Sequence, residues 1–497
     1  MSGPLLLGVD IGTQSVKAGL FRLDGARIAQ ASAPLPLSRR AGDEVYQEPE
    51  DFCRLVTSVI GSCMAKSSRP GDVAAIGIAG QMAGILGIGP RGEAVTPYDS
   101  WLDSRCHAEV AEIDDRLGDR LVKLTGCPPM VAHAPKILWW RRNHPAAYAS
   151  VAKFVVPSAF VSGWLCGLSA ADAYVDSTHL HFSGLADTAQ KVWSAELADE
   201  IGVDMKILPR ITSPTRQIGS LTADAAAKCG LRAGTPVAAG LGDTAAGALG
   251  AGVVEEGQLL DTAGTASVLG VSVTQFRTDA SRALVLMSGA VPGQWISLAY
   301  LAGGDLLGWL PGVLGGGSLD VLVQEAASAT GGGPLFVPHL AGRILPAAPH
   351  ARGGWIGLQV SHTRGDLTRA VLESVAFEYA GFLERALHLF PGLVPREIRV
   401  IGGGSGNMLW NLIKASALGV AYVRPRRQDF TCWGAALVAA AAVGAVDDLA
   451  ATALHTAGQA DRVEPDRSLQ SIYAERLRDY REAVGMLVSP VRRSHCE

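Results

Sequence analysis

Two short stretches of this chain repeat one another. Residues 5–23 read as an apolar strand (LLLGVD), a Gly-Thr turn (IGTQS) and a second strand (VKAGLFRL). Residues 257–271 carry another apolar run, an aspartate, a Gly-Thr turn and a further apolar run (QLLDTAGTASVLGV). The second copy falls near mid-chain, where the second domain of a duplicated architecture would begin. Asp10-Ile-Gly-Thr13 and Asp261-Thr-Ala-Gly-Thr265 therefore read as two versions of one device, the second with one more residue between its aspartate and its Gly-Thr pair.

A chain of 497 residues allows two to three domains. The repeat favours two, expected at 1–252 and 253–446, followed by an extension over 447–497 that ends in an amphipathic outer helix at 468–487. Hydrophobic residues make up 48% and charged residues 18%, enough apolar side chain for sizeable cores. A formal net charge of −4 gives no general pull on nucleic acid or anionic lipid, which favours a small-molecule partner. The most apolar run, 434–446, is about 13 residues, whereas a membrane-spanning helix needs roughly 20. The eight cysteines are scattered without CxxC or zinc-like spacing, and the chain opens without a basic-then-apolar leader. The expected compartment is the reducing cytoplasm.

Between and after the hairpins, strands alternate with helices, which implies α/β packing. Residues 76–89 read as strand, loop and strand. Residues 236–252 read as a strand running into a small-residue helix that starts after Asp243. Residues 366–387 form the clearest helix, with Asp366 as the expected N-cap and apolar residues at helical spacing. A strand at 398–401 leads through a glycine loop, Gly402-Gly-Gly-Ser-Gly-Asn407, into another helix.

Several of these elements carry polar groups suited to a polyphosphate. The Gly-Thr turn after Asp10 offers free backbone N–H groups and hydroxyls, and Asp10 suits Mg²⁺, which prefers carboxylates, phosphates and retained water. An ordinary glycine hairpin with a turn-forming aspartate reads the same way. Thr262, Gly264 and Thr265 supply a second, facing clamp. The glycine loop is not a Walker A motif, since no Gly-Lys-Ser/Thr follows; its glycines let backbone approach a nucleotide, with Asn407 placed for adenine or ribose, and a flexible interdomain loop reads the same way. Asp243 stands at a strand end before a helix start and reads equally as a proton acceptor or as a helix cap. Gln81, Met82 and the Trp101–Arg105 patch join hydrogen-bonding groups to apolar surface, as a polyol pocket requires, and Met82 and Trp101 read equally as core residues.

The ordered set GVDIGTQSVKAGLF, GQMAG, WLDSR, GLGDTAAGALGAG, DTAGTASV, RGGWIGL and IGGGSGNMLW resembles the FGGY carbohydrate kinases from about residue 6 to residue 444. That resemblance implies an α/β fold of two ribonuclease-H-like domains of the actin, hexokinase and Hsp70 superfamily, with an active-site cleft between them. It places sugar mainly on the first domain and ATP mainly on the second, and implies Asp243 as catalytic base and Asp10 as the magnesium residue. It puts Thr13, Gln14, Ser15, Lys17, Thr262, Gly264, Thr265, Gly403, Gly404 and Asn407 at the ATP site. Gln81, Met82, Trp101, Asp103 and Asp243 fall at the sugar. The cofactors implied are ATP and Mg²⁺, and a homodimer is the default assembly. The elements GQM and W-x-D-x-R look most like xylulokinases, but Ala83, Leu102 and Ser104 replace the usual His, Asn and Gly. Arg343, Ile344 and Pro349 depart from the family's pattern in a later loop.

The expected reaction is in-line transfer of the γ-phosphoryl group of ATP to a terminal hydroxyl of a small ketose, D-xylulose first, with slow ATP hydrolysis when sugar is absent. Rival readings are a kinase for ribulose, erythritol or glycerol, an actin-like ATPase switch, and a sugar sensor without transfer.

Overall fold

In the computed structural model, which describes residues 3–67, 72–263, 267–301, 306–329 and 332–488, the opening hairpin pairs Leu5–Ile11 with Ser15–Arg22, setting Asp10 opposite Lys17. Arg27–Pro34 adds antiparallel to its outer side, and Val73–Gly80 and then Pro236–Ala238 add parallel to its inner side. The second hairpin pairs Gln258–Ala263 with Ser267–Val273. Trp295–Leu301 lies antiparallel outside it, and Glu397–Ile401 and then Tyr422–Pro425 lie parallel inside it. Two seven-stranded sheets thus share one order of five strands and one sequence of directions. This is a two-domain α/β fold, consistent with ribonuclease-H-like lobes.

Helices cover both faces of these sheets, which is why Leu5, Leu6, Leu7, Val9 and Ile11 are all buried although successive side chains point to opposite sides. Each lobe has a main core, and the first has a further cluster around Ile113, Leu138 and Trp140. Another cluster joins the lobes, bringing Leu6 and Phe21 together with Leu260, Met287 and Trp433.

The helix Phe430–Ala442 builds much of that joint. It comes late in the chain, yet it packs on the strands Leu5–Ile11 and Val73–Gly80 and on the helix Asp243–Gly250. The approach is backbone to backbone: a Cβ on Gly8 would fall 1.8 Å from the Cys432 carbonyl oxygen, and one on Gly434 would fall 2.0 Å from that of Ala246. A side chain at Gly8 would force this helix off the sheet, and one at Gly434 would force it off the helix Asp243–Gly250.

The long helix runs over Arg364–Leu389, and its N-cap is Thr363 rather than Asp366. Thr363 Oγ1 accepts the Asp366 N–H, while the Asp366 carboxylate accepts the Thr363 N–H and hydroxyl. That reciprocal box satisfies two helix-end donors, which a cap at Asp366 alone would not. The closing helix Arg467–Val488 sets Tyr473 and Tyr480 against Phe377, and Arg476 against Glu373. Ala460–Val463 forms the last strand of the second sheet. This strand and this helix are therefore built into the second lobe.

Candidate active site

The first lobe contributes the Gly12–Gln14 turn, closed by the Gly12 N–H donating to the Ser15 carbonyl at 3.1 Å. Two amides brace it from below. Gln47 Nε2 donates to the Thr13 carbonyl at 2.9 Å, and Gln81 Nε2 donates to Gln47 Oε1 at 2.7 Å. From above, Trp101 Nε1 donates to Thr13 Oγ1 at 2.9 Å. Thr13 and Ser15 are half-buried, while Gln14 and Lys17 are exposed.

Two carboxylates meet beside this turn. Asp10 is the next-to-last residue of the first strand, and Asp243 is the first residue of the helix Asp243–Gly250, whose N-cap is Gly242. Asp243 Oδ1 accepts the Thr244 N–H at 2.6 Å; it makes no capping bond further along the helix, so the simple cap reading fails. Burial pushes the Asp10 carboxyl up to about 7, against the pull of Lys17 and with help from the Asp243 charge. Burial likewise raises Asp243, opposed by the Thr244 amide and by His179. Two like charges in one partly dry pocket resist joint ionisation, so they suit a group that brings positive charge or a proton.

The second lobe faces them. Thr262 is half-buried at the end of the strand Gln258–Ala263, and the glycine loop at 402–406 follows the neighbouring strand. Gly402 has φ 90°, and a Cβ there would fall 2.7 Å from the Ala263 carbonyl oxygen, so the loop lies directly on the second hairpin. Gly403 is exposed and Gly404 half-buried. Asn407 caps the following helix through Oδ1, which accepts the Trp410 N–H at 3.0 Å. Gly264 and Thr265 lie outside the described residues. Ile401 approaches Gly247 of the aspartate helix, and Tyr300 feels the Asp243 charge, so one site draws on both lobes.

Comparison with known proteins settles the class. The N-terminal domain model of the FGGY family of carbohydrate kinases matches residues 5–250, and the C-terminal domain model matches 262–443. The chain belongs to the FGGY family of carbohydrate kinases. It is 30% identical over 457 residues to a xylulose kinase of Lactococcus lactis, covering 90% of this chain and 89% of that one. It is 27% identical to a xylulose kinase of Bacillus subtilis, over 89% of both chains. A crystal structure of a xyloylose kinase from Brucella ovis superimposes with a TM-score of 0.90 at 28% identity, over 97% of this chain and 99% of that one.

As an FGGY carbohydrate kinase, the protein takes ATP and a sugar as substrates. Its first lobe places the expected sugar residues unequally. Met82 is buried against Gly242, where a Cβ would fall 2.5 Å from its sulfur. Asp103 is only 2% exposed: it accepts the Val45 N–H and Arg105 Nε, each at 2.8 Å, with Lys136 Nζ 3.7 Å away. Gln81 is engaged beneath the turn, but its Oε1 is buried with no protein partner among the described residues. Trp101, 37% exposed, presents the most open face of the set.

Magnesium fits the donors present. Among the described residues no cluster of three His, Cys, Asp or Glu side chains forms an all-protein cage. Mg²⁺ does not need one: it takes one or two carboxylates and fills the rest with phosphate and water. Asp10 and Asp243, oxygen donors without an ion pair among the described residues, meet that requirement. Asp176, Thr178 and His179, which pack behind Asp243, escaped the sequence reading, because a 3-10 turn has neither the 3.6-residue nor the 2-residue period. Among the described residues no helix is long and apolar enough to cross a membrane.

Proposed function

We propose that this kinase transfers the γ-phosphoryl group of ATP to a terminal hydroxyl of D-xylulose, yielding D-xylulose 5-phosphate. The observation that carries the chemistry is the pairing of Asp10 and Asp243 beside the Gly12–Gln14 turn. The choice of sugar is supported by the xylulose kinases among the relatives. Ala83, Leu102 and Ser104 alter the polar outline of the pocket, so ribulose, other ketoses, erythritol and glycerol belong in the same test.

In this reading Asp243 accepts the hydroxyl proton as the oxygen attacks, and a raised carboxyl holds that proton better at neutral pH than an ordinary aspartate does. The Gly12–Gln14 turn and Thr13 hold the transferred phosphoryl group, with Gln14, Ser15 and Lys17 near it. Thr262, Gly264 and Thr265 grip the remaining phosphates, while Gly403, Gly404 and Asn407 line the nucleoside. Gln81, Met82, Trp101 and Asp103 shape the sugar pocket. Magnesium, held by Asp10, neutralises phosphate charge when bound. Fixing both substrates in line supplies most of the rate enhancement. ATP as co-substrate supports a cytoplasmic location.

The test is ADP release with ATP and Mg²⁺ against that sugar panel and a sugar-free control. Strong stimulation by D-xylulose alone is the expected result. Preference for another sugar moves the substrate, and equal turnover in every well refutes the transferase reading.

A further inference from the structure

The strand Tyr174–Asp176 and the short turn Ser177–Phe182 press on the peptide just before Asp243. Asp176, Thr178 and His179 are all buried. Asp176 Oδ1 accepts both the backbone N–H and the hydroxyl of Thr178. With its own proton committed there, the Thr178 oxygen accepts the Gly242 N–H at 2.9 Å. On the other side of the carboxylate, His179 Nε2 lies 3.3 Å from Asp176 Oδ2. His133 and His181 are buried in the same region, and burial drives both toward the neutral form.

The direction of this chain matters. A buried carboxylate is costly unless it is hydrogen-bonded, and this one directs a single hydroxyl whose acceptor side points at Gly242. Gly242 is gripped on its other flank by Met82. The peptide preceding Asp243 is thus held from two sides, whereas the aspartate's own bonds, to the Thr244 N–H and hydroxyl, reach only the next residue. Leu241 and Gly242 also pair in parallel with Ala79 and Gly80 of the first sheet, and the Thr178 hydroxyl is the side chain that bonds the Gly242 N–H.

We infer that Asp176, Thr178 and His179 form a positioning unit for Asp243, fixing through the Gly242 N–H where the helix begins and so where its carboxylate meets the acceptor hydroxyl. This rests on Asp243 being the base. The unit touches no substrate; it sets an angle and a distance, the kind of control whose loss is felt in kcat rather than in binding.

The test compares Thr178→Val, Thr178→Ser and Asp243→Asn, using the sugar that turns over best, with kcat, both KM values and the thermal midpoint measured for each. Thr178→Val keeps the shape and removes the hydroxyl; kcat is expected to fall about tenfold to a hundredfold, with KM for ATP within about twofold. Thr178→Ser restores the oxygen and most of kcat. Thr178→Val with unimpaired kcat, or Thr178→Ser falling as far as Thr178→Val, overturns the inference. Should Thr178→Val not fold, Thr178→Cys set against Thr178→Ser decides on the same terms. An inactive Asp243→Asn beside an unimpaired Thr178→Val sinks the positioning unit alone, while a fully active Asp243→Asn removes the base and the unit together.

Discussion

Asp10 and Asp261 occupy corresponding strands of two sheets with the same topology, yet they do opposite things. Counted back from the pair that closes each turn, Ile11 with Val16 and Ala263 with Ser267, Asp10 corresponds to Thr262, and Asp261 to Val9. Asp10 and Thr262 are also the one half-buried residue in each otherwise buried strand. The extra residue in Asp-Thr-Ala-Gly-Thr shifts the aspartate by one, and one step along a strand turns a side chain to the other face. The two motifs are therefore not two versions of one device, as the sequence reading had them. Asp261 faces the core, where Lys414 Nζ donates to Oδ2 at 2.6 Å and Tyr379 donates to Oδ1 at 3.0 Å. Lys414 is itself boxed by Trp410, Tyr379 and Tyr422. The Asp10 carboxylate has no ion pair among the described residues, whereas the Asp261 carboxylate is neutralised inside the second lobe.

The contrast breaks most decisively in activity. Asp10→Asn is expected to lower kcat by roughly a thousandfold, measured by ADP release at saturating ATP and Mg²⁺. Retained turnover would place the metal elsewhere. Asp261→Asn should act on stability: it strands a buried ammonium, at a cost of roughly 3–5 kcal/mol, read from denaturant melts of the ligand-free protein. Because replacing both partners of a buried pair by apolar groups is often close to neutral, Asp261→Leu with Lys414→Met should recover most of that loss. A double variant no better than Asp261→Asn would show that the pair holds more than its own charges.

The same substitution should carry opposite signs in the two hairpins. A carboxyl at about 7 in the folded protein, against 3.8 as its ordinary value, binds its proton more tightly when folded. Stability then declines as pH rises from about 4 to 7. Asp10→Asn removes that decline and should raise the thermal midpoint of the ligand-free kinase at pH 8, with little gain at pH 5. The smallest effect belongs to Lys17, whose charge pulls Asp10 downward from across the hairpin. Lys17→Ala should move the acid limb of kcat/KM to higher pH, and added salt should shrink the shift, since Lys17 is exposed.

Much of the architecture was legible because period and order survive in sequence. The two hairpins, the helix after Asp243, the glycine loop and the order of the motifs announced a duplicated kinase. Boundaries were softer: Asp366 looked like a helix start, but the box formed with Thr363 begins the helix three residues earlier. Roles were softer still. Asp103, Gln81 and Asn407 carry groups suited to a ligand, and each is also engaged by neighbours that lie far away in sequence or beyond a turn.

The sequence by itself determined which elements form and that they form twice, because strand alternation, turn residues and helix caps are local properties. Only the tertiary structure decided which aspartate is half-buried beside a second carboxylate and which is paired with a lysine in the core. Facing the cleft or the core depends on a one-residue register in a strand, and whether a carboxylate stays uncompensated depends on whether a lysine more than a hundred residues away reaches it. Asp261 meets Lys414 and Asp10 meets Asp243, and neither pairing is written in any local pattern.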